Sequence, residues 1–166
     1  MISIDERGWI MEGHQSYCYL AVADAVNGER KMNRLHELAE LLICSWTLGG
    51  DEGGELPTSH GILDRTLELA KEKNALPEWF WSAIHFADSR VGLQCVELPD
   101  ILDRAQTAEL TEVPNPTYRR TRVKITQSLA RRLLTDLGIS HEVAAKWGKE
   151  LRQAADEAIV EFARAD

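Results

Sequence analysis

Apolar residues recur at three- and four-residue spacing along most of this chain, the period of helices that bury one face. The clearest case is 29–48. Met32, Leu35, Ala39, Leu42 and Trp46 make one stripe there, and Leu38, Leu41 and Cys44 widen it, which predicts a helix at the centre of the core. The same spacing predicts a helix over 14–26, stopped by Asn27-Gly28, and another after Thr58 or Ser59 with Ile62, Leu63, Thr66, Leu67 and Ala70 buried. Pro77 suits the first position of a further helix carrying Trp79, Phe80, Trp81, Ile84 and Ala87. Three adjacent aromatics cannot share one helix face, so at least one is expected at the core's edge. Pro99 starts a helix with Ile101, Leu102, Ala105 and Ala108 inside. Near the end, Ile125, Leu129, Leu133 and Leu137 align with Ala130 and Leu134. After a break at Gly138, Ser140 caps a last helix with the stripe Val143, Ala144, Trp147, Leu151, Ala155, Ala158 and Phe162.

Period two occurs in two places. Val91, Leu93 and Cys95 alternate with Gly92, Gln94 and Val96, and Thr121, Val123 and Ile125 alternate with cations. The fold expected is mainly α: a bundle of six to seven helices, with room for a minor two-stranded ribbon pairing 91–97 with 118–125. Residues 1–13, with Ile2, Ile4, Trp9 and Ile10, read as a short strand or an arm on the core. The run 49–57 holds four glycines, three carboxylates and Pro57, and reads as a plain connection. Its acids would repel phosphate, and it lacks the lysine and hydroxyl of a P-loop. Val113-Pro114-Asn115-Pro116 is the best internal boundary. It divides a helical core, 1–113, from a basic segment plus C-terminal hairpin, 117–166, packed on the same core as a single domain.

Charge changes this picture at one place. The chain is acidic, with net charge −8, 44% apolar and 28% charged residues. That disfavours non-specific nucleic-acid binding by the whole surface. No apolar run approaches the roughly 20 residues of a membrane helix, and residues 1–9, with Asp5 and Glu6, do not read as a secretory signal. Cys18, Cys44 and Cys95 are widely spaced, so they read as small apolar residues of a reduced cytoplasmic protein. Against this background the segment 117–134 carries Arg119, Arg120, Arg122, Lys124, Arg131 and Arg132 and no acid. Such asymmetry marks a surface for a phosphate backbone or an acidic protein, or is neutralised within the fold. On a strand, Arg120, Arg122 and Lys124 would line one face; on a helix, Arg119, Arg122 and Lys124 would spread over a wider arc.

Two stretches carry family resemblances. Leu137-Gly138-Ile139-Ser140, with Trp147 seven residues after Ser140, resembles the helix–turn–helix of repressor-type proteins over 130–149. The resemblance implies DNA reading by the second helix. Leu134 stands where such motifs prefer a small residue, and His141, Glu142, Lys146 and Lys149 are a poor set for base edges. The spacing from Arg30 to His36 resembles that of HEPN-type ribonucleases, with Lys31 where that family usually has a small polar residue. It implies metal-independent RNA cleavage, arginine holding the scissile phosphate and histidine acting as acid or base.

His36 with Glu40, His60 with Asp64 and His85 with Asp88 are His–carboxylate pairs at helical spacing, but no metal-binding motif links them. His14 and Cys18 lie one helical turn apart with nothing to orient the histidine. No metal or cofactor is expected. The sequence thus favours a non-enzymatic cytoplasmic binding, adaptor or regulatory protein. Its basic face (Arg119, Arg120, Arg122, Lys124, Arg131, Arg132) would contact nucleic acid or an acidic protein partner. The alternatives are the HEPN-like ribonuclease and an acidic inhibitor of the immunity type that masks a basic partner.

Overall fold

The computed structural model describes residues 28, 30–51, 54–59, 61–113 and 120–165. The chain divides into two units, Met1–Arg34 and Leu35–Asp166. In the first, residues 28 and 30–34 are helical. The expected helix at 14–26 and the arm at 1–13 lie outside the described residues.

The second unit is mainly helical, as its periodicity predicts. Helix α1 covers 35–48, and Leu38, Ala39, Leu41, Leu42, Ile43 and Cys44 on it are almost fully buried. Strand β1 (Glu55–Pro57), α2 (Ile62–Glu72), α3 (Glu78–Trp81), β2 (Phe86–Ser89) and β3 (Gly92–Cys95) follow. Then come α4 (Leu98–Thr107), β4 (Arg120–Arg122), α5 (Gln127–Asp136) and α6 (His141–Ala165).

Helix ends follow local chemistry. Thr126 caps α5 by accepting from the Leu129 N–H at 3.2 Å. At the other end Gly138, in the left-handed region at φ 71°, donates to the Thr135 carbonyl while Ile139 donates to Leu134. That double bond pattern satisfies the last carbonyls and lets Ile139 pack back on the helix. Helices α2 and α4 end the same way, with Asn74 (φ 54°) and Glu109 (φ 59°) in the left-handed position. The expected cap at Thr58 or Ser59 is corrected: Gly61 precedes α2 and no side chain caps it.

Both period-two segments are strands, but they are not partners. β3 pairs with β2 as an antiparallel hairpin, Phe86 opposite Cys95 and Ser89 opposite Gly92. β4 pairs with β1, Glu55 opposite Arg122 and Pro57 opposite Arg120. On its other side β4 is bridged by the 110–112 segment, Thr111 opposite Val123. The reason is local. The helix expected to run from Pro77 through Ala87 stops at Trp81, which frees residues 86–89 to fold back through a two-residue connection. Phe80 and Trp81 are buried and meet edge to face, 5.1 Å between centroids, and the Trp81 indole donates to the Ala75 carbonyl at 2.7 Å. Trp79 is half-buried at the core's edge.

The last helix packs far more closely on α2 than on α5. Arg65 grips Glu161 with two hydrogen bonds, 2.7 and 3.1 Å, and Glu68 with a third at 2.7 Å, while Lys73 meets Glu157 at 2.6 Å. Those carboxylates, Glu161 first, hold the Arg65 guanidinium firmly charged. Asp64 on α2 accepts from the Cys95 N–H at 2.7 Å and ties the β2–β3 hairpin to the core. Among the described residues, no helix is long and apolar enough to cross a membrane.

The glycine-rich run is not a bare connection. Gly49 lies so close to Gly148 of α6 that a side chain at either would meet the other's backbone. Gly50 and Gly54 form a seat for the guanidinium of Arg152, and Glu55–Pro57 is strand β1. Glycine is needed here for close backbone approach rather than for flexibility.

Candidate binding face

The strand reading of 120–124 decides how the cations are displayed. Thr121, Val123 and Ile125 are buried, and Arg120, Arg122 and Lys124 are exposed on the opposite face. Both edges of β4 are occupied by β1 and the 110–112 segment, so this surface acts through side chains, not through an open strand edge.

Carboxylates interleave the cations. Arg120 lies 3.6 Å from Glu55, and Arg122 lies 3.8 Å from Glu112. All four side chains are about half exposed or more. Pairs of this length in water contribute about 0–1 kcal/mol each and exchange readily. Lys124 has no carboxylate partner among the described residues. Arg131 and Arg132 are exposed on α5, a separate element, and Arg119 lies outside the described residues. The structure thus brings Arg120, Arg122 and Lys124 together on one mixed-charge face.

The helix–turn–helix outline has its glycine turn, but α6 runs 25 residues. His141, at its start, folds back onto α5, with its Nε2 2.8 Å from the Arg131 carbonyl and 3.0 Å from the Thr135 hydroxyl. Of the expected stripe Ala144, Leu151, Ala155 and Ala158 are buried and Val143 is exposed, while Gly148 and Ala154 are buried in addition.

The histidine pairs separate into different outcomes. His36 Nε2 meets Glu40 Oε1 at 2.9 Å, and its Nδ1 is enclosed without a hydrogen-bond partner among the described residues. Burial pushes the Glu40 carboxyl up and the neighbouring His36 opposes it. Arg30 is helical and exposed in the first unit. His85 pairs with Glu97 rather than Asp88: Nδ1 lies 2.7 Å from Oε1, and the His85 N–H donates to Oε2 at 2.7 Å. Burial pushes Glu97 up, but these bonds outweigh it and hold the carboxyl below its usual range. His60, His14 and Cys18 lie outside the described residues. Among those described, no three His, Cys, Asp or Glu side chains group as metal ligands.

A second feature lies beside this face and is absent from the sequence reading. A groove of ≈ 460 Å³ runs between α6 and the β1–β4 pair, lined by Trp46, Glu55, Arg120, Arg152, Asp156 and Ile159 among others. Arg152 stacks on Trp46, 4.8 Å from the ring centre, and its Nε donates to the Trp46 carbonyl at 3.0 Å. Its Nη2 and the Trp46 Nε1 are enclosed with no acceptor. The sequence did hold a signal: Gly148 interrupts a strongly periodic helix, where glycine costs about 1 kcal/mol against alanine and so marks a close approach.

No protein-family model, no curated protein and no solved structure matches the chain.

Proposed function

We propose that this is a non-enzymatic binding protein of adaptor or regulatory type, which contacts a carboxylate-bearing protein surface through Arg120, Arg122 and Lys124. The observation that carries this reading is the alternation over 120–125: Arg120, Arg122 and Lys124 are exposed while Thr121, Val123 and Ile125 are buried. Their ion pairs with Glu55 and Glu112 are long and exposed, so a partner's carboxylates can replace them at small cost. The interleaved acids favour a protein over nucleic acid, because a continuous phosphate backbone would meet Glu55 and Glu112 as well as the arginines. A cytoplasmic setting fits the free, buried thiols of Cys44 and Cys95.

The test is a photoreactive side chain placed at position 124, in cells, with and without nuclease. One protein partner is expected to cross-link, nuclease-insensitively, and to be lost in the Arg120→Glu/Arg122→Glu variant. Binding of duplex or single-stranded nucleic acid at low salt, with an affinity that falls steeply with salt, would transfer the face to nucleic acid. Cross-linking unaffected by the charge reversal would remove it as a binding surface.

A further inference from the structure

We propose that the groove between α6 and the β1–β4 pair binds a small zwitterion of the α-amino-acid class, with Arg152 anchoring its carboxylate. This does not rest on the partner reading, with which it shares only Arg120.

The first argument is the state of Arg152. Its guanidinium is half-buried, yet among the described residues it makes a single hydrogen bond, to the Trp46 carbonyl, and has no carboxylate within ion-pair distance. Burial lowers its proton affinity, and Asp51 and Asp156 oppose that only through space. Holding a charge away from water without a partner is costly. The fold nonetheless fixes it there, stacked on Trp46 and seated on Gly50 and Gly54. Its Nη2 is closed off against the glycine run, so the nitrogen left for a ligand in the groove is Nη1, which has no acceptor among the described residues. A ligand carboxylate supplies what is missing, and arginine is the residue best shaped to take it.

The second argument is the alternation of charge. Arg152 and Asp156 are one helical turn apart on α6, and Glu55 and Arg120 face them from the strands. A ligand of one sign is attracted by the two groups of opposite sign and repelled by the other two; phosphate in particular would meet two carboxylates. A molecule carrying a carboxylate and an ammonium matches both. Ile159 provides apolar contact for a side chain, and ≈ 460 Å³ lies within the range of small-molecule sites.

The test uses the full chain and free glycine, leucine, glutamate and lysine in turn, with acetate and inorganic phosphate as single-sign probes. The readout is the indole resonance of Trp46, assigned by its loss in Trp46→Phe. At least one amino acid is expected to shift it at millimolar concentration or below, with both single-sign probes weaker by about tenfold, the loss of one charge-assisted contact. Arg152→Gln should weaken binding by at least as much. Because Arg152 also braces the glycine run, that variant can lose stability. Asp156→Asn, at an exposed residue with no hydrogen bond among the described residues, therefore carries the decision and should weaken binding about tenfold. No shift with any amino acid overturns the proposal. So does equal binding by Asp156→Asn, or binding of acetate or phosphate as tight as that of the amino acid.

Discussion

Replacing Gly148 with alanine probes the seam where α6 meets the end of α1. A methyl group there would lie 1.8 Å from the Ser45 carbonyl oxygen and 2.7 Å from both Cα and N of Gly49. All three are backbone atoms, so no rotamer change relieves the contact. The Ser45 carbonyl is also held in place by the Gly49 N–H at 3.0 Å. The two segments would have to part by more than an ångström, along a helix that buries Leu151, Ala155 and Ala158 on the same face. Overpacking of a tight core costs about 1–3 kcal/mol, sometimes more. Helix propensity acts in the opposite direction and favours alanine by about 1 kcal/mol. The clash is backbone against backbone at 1.8 Å, so it lies at or above the upper end of that range and wins. Gly148→Ala is expected to be less stable by a net ~2 kcal/mol, lowering Tm by about 4–8 °C for a chain of this size. Urea unfolding and calorimetry measure this, with exposed Gln153→Ala as a control expected to stay within about 0.5 kcal/mol of the parent. A Gly148→Ala protein as stable as the parent, or more so, would mean that propensity alone operates and that the seam is not tight. Gly49→Ala should show a similar loss, since its methyl would meet the Gly148 backbone at 2.1 Å. The double variant should lose less than the sum, because separating the seam once relieves both clashes.

Three further outcomes follow from the geometry. Glu109 sits in the left-handed position that ends α4, at φ 59°, so Glu109→Gly should stabilise by about 1 kcal/mol; a lower Tm would refute this. Burial pushes the Cys44 thiol up to about 12 and that of Cys95 up to about 11, so iodoacetamide at mild alkaline pH should leave both unmodified until denaturant is added, as read by mass spectrometry. Removing the Asp64 bond to the Cys95 N–H with Asp64→Ala should cost about 1.5–3 kcal/mol, whereas Asp64→Asn keeps an acceptor and should cost less. Burial outweighs that bond and raises the Asp64 carboxyl, so its contribution is greatest at low pH and is lost as pH rises through the raised value. The parent's advantage over Asp64→Asn should therefore shrink from acid to neutral pH, and growth of that advantage would contradict the assignment.

Much of the helical fold could be read from spacing, because a stripe such as Leu38, Leu41, Leu42 and Trp46 has few ways to hide other than one face of a helix. Two kinds of information were not local. The first was strand pairing. Val91–Val96 and Thr121–Ile125 each carry the period of a strand, but period two names no partner. The partner of 92–95 was hidden inside an aromatic run that looked helical, and that of 120–122 lay in a segment dominated by glycine and proline. The second was which face of a long helix is covered. On α6 the large residues Val143 and Trp147 suggested one stripe. Ala144, Leu151, Ala155 and Ala158 are buried as expected, but Val143 is exposed and the stripe also takes in Gly148 and Ala154, Gly148 letting α1 and the glycine run approach. Burial there depends on smallness, which hydropathy does not score.

The same distinction applies to the candidate sites. Arg120, Arg122 and Lys124 were conspicuous because they are adjacent in sequence and share a sign. The fold then places Glu55 and Glu112, from the segments on either side of the strand, beside them and blunts the cluster. Arg152 was inconspicuous among the alternating charges of α6. Among the described residues the fold leaves it without a carboxylate in ion-pair distance and lays it on an aromatic ring beside a groove. A charge unlike its sequence neighbours is visible in a chain read letter by letter. A charge deprived of partners is visible only once the chain has folded, and it is the second kind that is short of a ligand. The partner face and the groove meet at Arg120, whose bond to Glu55 is long enough to yield to either. Occupancy of the groove would draw on the same guanidinium that a partner's carboxylate would use. If both sites are filled in the same protein, they should therefore compete, and an amino acid that shifts the Trp46 resonance should weaken cross-linking from position 124.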